Sequence, residues 1–134
     1  DYKTHIDKGS MFNTPPVFSI YVSMLTLEWL KEFGGIKEIE KINQQKADLL
    51  YREIDNNPLF IGTANKEDRS NMNVCFLLKD KNKEELFNRM CKDVGISGIK
   101  GHRSVGGYRA SIYNAMPIES IKVLIDVMKK LEHI

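Results

Sequence analysis

The sequence is short of several things, and each shortage narrows the field. It has two cysteines in 134 residues, Cys75 and Cys91, with no CxxC spacing and no Cys/His set at metal-ligand spacing. Both sit among apolar neighbours in what read as a strand and a helix, so reduced core thiols of a cytoplasmic protein are expected, and no metal. Charge of one sign is scarce too: 20 Lys+Arg stand against 18 Asp+Glu. That near balance makes no general case for nucleic acid or an anionic membrane, so any preference for anions must be local. Nor is there a long apolar run. The nearest, "PPVFSIYVSMLTLEWL", is interrupted by Glu28 and followed at once by Lys31 and Glu32, too short and too charged to span a bilayer. The opening "DYKTHIDKGS" is polar and mixed in charge, unlike a leader peptide. Its first residue is Asp rather than Met, and the expectation is a processed product or a piece of a longer protein.

What is present suffices for one domain of ordinary size with a core of its own. Thr14 offers an N-cap, Pro15 suits the first helical position, and Gly34-Gly35 make a stop, so residues 15–33 are predicted as helix. Phe18, Tyr21, Val22, Leu25, Trp29 and Phe33 form one apolar stripe, and Val17, Ile20, Met24 and Leu27 a second. A helix apolar on most of its circumference needs cover on more than one side, expected from a missing domain or a partner subunit. A second helix is predicted over 36–55, with Ile36, Ile39, Leu49, Leu50 and Ile54 inward.

The pattern then changes. After a loop over 56–71 holding one short strand, "MNVCFLL" reads as a strand (72–78). Residues 83–94 read as a helix with Leu86, Phe87, Met90, Cys91 and Val94 on one face. "ISGIK" reads as another short strand, "YRASIY" (108–113) as a third, and 117–131 as a closing helix with Ile118, Ile121, Leu124, Ile125, Met128 and Leu131 inward. This β-α-β-β-α order implies an α+β two-layer sandwich with a small mixed or antiparallel sheet, preceded by two long helices outside it. The corresponding division is 1–57, an N-terminal loop and connecting helices, and 58–134, a small α+β domain.

One stretch calls for chemistry: "KGHRSVGGYRASIYNAMP", 100–117. Were Gly106-Gly107 a tight hairpin turn, Val105 would oppose Tyr108 and Ser104 would oppose Arg109, leaving Arg103 on the other face. Were 101–107 an open loop, His102, Arg103 and Arg109 could converge, and the glycine count favours the loop. A planar guanidinium grips carboxylate or phosphate in two places, and histidine adds a donor whose charge follows pH. Spacing alone does not separate such a site from a solvated basic loop. Asn13 and Thr14 likewise precede a helix start, a natural seat for phosphate, or serve simply as turn and cap.

Together the blocks "SMFNTPPVFSIYVSMLTLEWLKEFGG", "INQQKADLLYREIDN", "RSNMNVCF" and "KGHRSVGGYRASIYNAMP" closely resemble the C-terminal part of the phosphoserine aminotransferase family, fold type I, class V enzymes using pyridoxal phosphate. The resemblance runs over essentially the whole chain. It implies the small domain of such an enzyme, with Asn13 and Thr14 reaching the cofactor phosphate bound mainly by the other subunit of a homodimer. It also implies that His102 and Arg103 meet the substrate's phosphate or distal carboxylate and that Arg109 grips its α-carboxylate, which favours the open loop. The implied reaction moves an amino group from glutamate to 3-phosphohydroxypyruvate, giving O-phosphoserine and 2-oxoglutarate on the route to serine. The match also has a gap. The lysine that carries the cofactor as a Schiff base, the acid at the pyridinium nitrogen and the stacked aromatic lie upstream in that family, and no lysine here, Lys100 included, matches the cofactor lysine. No catalytic residue is therefore expected in this chain, and by itself it is expected to be inactive. Two other classes remain: a free-standing regulatory module binding a small anionic metabolite, and a nucleic-acid binder, disfavoured by the low net charge and the lack of an aromatic platform.

Overall fold

The computed structural model describes every residue except Val105. The chain divides into two compact units, Asp1–Ile39 and Glu40–Ile134. The first carries a short helix α1 (Tyr2–Ile6), absent from the sequence expectation, and then α2 (Val17–Glu32). Helix α2 starts two residues later than expected, with Pro16 at its N-cap and no capping side chain, so Thr14 does not cap it. The cause is the proline pair: a residue before proline is pushed out of the helical region, which bars Pro15 from the first turn. Gly34 and Gly35 do end the helix, at φ of 114° and 76°, values that suit a residue without a side chain. As the two stripes require, α2 buries none of its residues within this chain. Phe18 is 80% and Leu27 65% exposed.

Helix α3 (Gly35–Asn56) runs from the first unit into the second. Leu50 and Ile54 enter the core as expected, and Leu49 packs on it partly. Ile39 is buried, whereas Ile36, in the first turn, stays exposed against expectation. Ala47 and Tyr51 also join the core. The latter half of α3 thus packs in the same compact unit as the sheet.

The sheet has three antiparallel strands, β1 (Phe60–Gly62), β2 (Asn73–Leu78) and β3 (Tyr108–Ser111), in spatial order β1-β2-β3. Helix α4 (Glu84–Asp93) lies between β2 and β3 in the chain, and α5 (Ile118–Glu132) closes it. The observed order is therefore β-β-α-β-α. "ISGIK" is not a strand: Gly98 turns with φ of 66°, and only a single bridge, Lys100 to Tyr108, forms beside β3. The short strand expected in the preceding loop supplies the third member instead.

Alternation sorts the residues of β2 and β3 cleanly. Val74, Phe76, Leu78, Tyr108 and Ala110 point into the core with Phe60 of β1, while Ile61, Leu77, Arg109 and Ser111 are exposed on the other face. The core is an aromatic cluster: Tyr108 stacks on Phe76 at 5.4 Å between centroids and meets Phe87 edge-on at 4.9 Å. Such ring pairs add about 0.5–1.5 kcal/mol each beyond area burial. Burial, with smaller contributions from Glu84 and Cys91, pushes the Tyr108 hydroxyl up to about 12. Phe87 and Cys91 of α4 are buried, but Val94 is half exposed because the helix ends at Asp93 and Gly95 turns the chain away. From α5, Ile121, Leu124, Ile125, Met128 and Leu131 are buried as expected, together with Val127. Both cysteines are free. Cys91 is a core thiol that burial raises to about 11, while Cys75 is only half-buried, on the outer face of β2.

The bare apolar surface of α2 has a direct consequence. In sedimentation velocity the isolated chain is expected to self-associate; a sharp monomer boundary across concentrations would contradict it.

Candidate functional site

The basic stretch is an open loop. Lys100 bridges Tyr108, the Gly101 amide donates to the Gly107 carbonyl (2.8 Å), and the Gly106 amide donates to the His102 carbonyl (2.8 Å). Pairing of Lys100 with Tyr108 rules out the tight hairpin; Val105, which that hairpin would have placed opposite Tyr108, lies outside the described residues. Glycine is required here on steric grounds. A Cβ on Gly101 would overlap the Gly106 carbonyl oxygen, and one on Gly107, at φ of 66°, would overlap Leu77 and stand 2.8 Å from the Phe76 carbonyl oxygen. The foot of the loop is thus pressed against β2.

His102, Arg103 and Ser104 are exposed on this loop. The Ser104 amide donates to His102 Nδ1 (3.3 Å), and the Ser104 hydroxyl lies 2.8 Å from the same atom. In the neutral ring this leaves the proton on Nε2, which has no acceptor among the described residues. Arg109 stands on the outer face of β3, across from Cys75. It lines a cleft of about 410 Å³ together with Ser97, Ser111, Ile112, Met116 and Ser120. His102 and Arg103 are not among the residues lining that cleft, so the structure does not bring all three basic groups to it.

Arginines in this unit fall into two kinds. Arg69 is committed: it holds Asp55 through two hydrogen bonds (2.8 and 2.6 Å) and stacks 4.4 Å over the Tyr51 ring. Those hydrogen bonds keep the Asp55 carboxyl below its ordinary range. Arg103 and Arg109, by contrast, have no hydrogen-bond or ion-pair partner among the described residues. A guanidinium without a partner is free to take an external carboxylate or phosphate, and Arg109 stands on a strand beside a cleft. Asn13 and Thr14 lie in the other compact unit, exposed on the segment before α2.

Sequence reasoning passed over the buried polar residues of α3. Asn43 and Lys46 are buried there, at helical spacing with Leu50 and Ile54, and a polar residue on an apolar stripe was the available signal. It also passed over a small network beside Arg109, in which Asn73 donates to the Tyr113 hydroxyl (2.7 Å) and accepts from Ser111 (3.3 Å).

The model of the aminotransferase class-V family matches residues 1–124. The chain belongs to the class-V aminotransferases. It is 66% identical over 133 residues to the phosphoserine aminotransferase of Flavobacterium psychrophilum, covering 99% of this chain and 37% of that protein. Against the phosphoserine aminotransferase of Bacteroides fragilis it is 59% identical, with 98% and 38% covered. Among solved structures, phosphoserine aminotransferase from Bacillus circulans subsp. alkalophilus superposes with a TM-score of 0.90 at 40% identity, over 98% of this chain and 37% of that one. The pyridoxal-phosphate-bound enzyme from Trichomonas vaginalis gives 0.85 at 38% identity, over 96% and 37%. This class-V chain therefore spans under two-fifths of the length of its curated relatives.

The steric argument makes a test. Gly107→Ala is expected to cost about 1–3 kcal/mol in urea denaturation, from left-handed strain plus the clash with β2. A wild-type midpoint and slope would show that the loop does not need the glycine.

Proposed function

We propose that this chain is the C-terminal segment of a cytoplasmic phosphoserine aminotransferase, working as a homodimer with pyridoxal phosphate. The parent would transfer an amino group between glutamate and 3-phosphohydroxypyruvate, giving O-phospho-L-serine and 2-oxoglutarate. On this reading 1–57 hold the end of the large domain and the connecting helices, and 58–134 the small domain. The carrying observation is the glycine-built loop with Arg103 on it and Arg109 on the strand that follows, both without partners among the described residues, in a chain 66% identical to the phosphoserine aminotransferase of Flavobacterium psychrophilum.

The residues present suit one end of the cofactor. Asn13 and Thr14 offer an amide and a hydroxyl, both exposed and without hydrogen-bond partners among the described residues, a donor set that matches a phosphate. Across a dimer they would hold the cofactor phosphate of the partner's site. Bound pyridoxal phosphate would supply the electron sink that amino transfer needs. The cofactor-bearing lysine is expected outside these residues; Lys46 cannot serve, since its ammonium is fully occupied by three carbonyls.

Substrate recognition follows from charge. Arg109 would take the α-carboxylate common to both amino acids, with its planar fork on two oxygens. His102, donating through Nε2, and Arg103 would take the far end, either a phosphate or a carboxylate. Because arginine keeps its charge across the working pH range, this selects dianionic substrates and leaves room for both.

In the full-length protein, Arg109→Lys is expected to lower kcat/KM about 10–100-fold with both substrates, since an ammonium cannot replace the fork, and Arg103→Lys distinctly less. Equal losses would count against the roles. For the 134-residue chain alone, added pyridoxal phosphate and phosphoserine should leave the cofactor absorbance as it is in buffer. Turnover would place the cofactor lysine within this chain and overturn the reading.

A further inference from the structure

The most unusual group in the molecule is not at the loop. Lys46 has no exposed surface at all, and among the described residues no carboxylate meets it. A buried ammonium without a counter-charge is costly unless every proton finds an acceptor. Here each does: Nζ donates to the carbonyls of Ile112 (3.0 Å), Tyr113 (2.8 Å) and Met116 (3.0 Å). Three donors meet three acceptors, a match that only the charged form completes. Desolvation lowers the pKa of the group, the direction burial dictates.

Those three carbonyls lie on one stretch, the exit from β3 toward α5. The Met116 amide closes a turn onto the Tyr113 carbonyl (2.9 Å), and one helical turn before Lys46 the Asn43 amide group donates to the Asn114 side chain (2.7 Å). Two of the residues that Lys46 holds, Ile112 and Met116, line the cleft that Arg109 also lines. An apolar side chain at position 46 would fill the space but take the donor from the Ile112 and Met116 carbonyls and leave the Tyr113 carbonyl only the Met116 amide, so burial alone does not explain a lysine there.

We propose that Lys46 is a positioning residue: by drawing the Ile112, Tyr113 and Met116 carbonyls to one point, it holds the wall of the Arg109 cleft in place. The substrate meaning of this wall rests on the reading of Arg109 as a carboxylate ligand, but the clamp itself can be tested without any ligand.

The test is native-state hydrogen exchange by NMR on the 134-residue chain, comparing wild type with Lys46→Met. The expected result is local. Amides of Arg109, Ile112 and Met116 exchange about tenfold faster over and above any change at Phe76, Phe87 and Leu124, and the Arg109 Nε signal moves. A group that only adds global stability would speed all protected amides by one common factor, and that uniform rise, or no change, overturns the proposal. Should Lys46→Met fail to fold, Lys46→Gln, which keeps donors on a neutral side chain, is read by the same local-against-core ratio. Loss of the Arg109→Lys effect in the full-length protein would sink the substrate reading while leaving this exchange pattern standing, so the two fail separately.

Discussion

The arrangement depends on the burial of one residue, Tyr108. Its ring is stacked on Phe76 and edge-on to Phe87, and its backbone pairs with Phe76 on one side and Lys100 on the other. Strand alternation then leaves no choice for Arg109, which must face out. A slip of one residue in register would bury a guanidinium and expose an aromatic ring, so the core that holds the sheet together also sets which way the arginine points. The glycines complete the constraint, because the loop entering at Tyr108 leaves no room for a Cβ on Gly101 or Gly107.

Cations in this unit show how context divides one charge among several jobs. Arg69 is spent within the fold, held by Asp55 and laid over Tyr51. Lys46 is spent too, but on main-chain carbonyls rather than on a carboxylate. Arg103, on the glycine loop, and Arg109, on β3, have no partner among the described residues. A recognition site for a dianion needs this combination, because a committed cation has nothing to offer and a mobile one must be ordered on binding.

Much was legible in the residues. The glycine pair ending α2, the two apolar stripes of that helix and the inward faces of α4 and α5 follow from spacing and punctuation, since side-chain direction repeats with the backbone period. The open form of the 101–107 loop followed from its glycines. Other points were lost to local context. Thr14 failed as a cap because Pro16 forbids helical geometry at Pro15. "ISGIK" failed as a strand because Gly98 turns the chain where a ladder would have to continue.

By itself the sequence determined the long helices, most of the apolar core, the open form of the glycine-rich loop and, through its long motifs, the family. Those are properties of neighbouring residues or of whole words of sequence. Only the tertiary structure decided that β1 rather than 96–100 completes the sheet, that Arg69 is committed and Arg109 is not, and that Lys46 is buried against carbonyls some 66 to 70 residues away. Strand choice, ion pairing and the filling of a buried donor set are contacts between distant segments, and their energies exist only once the chain has brought those segments together.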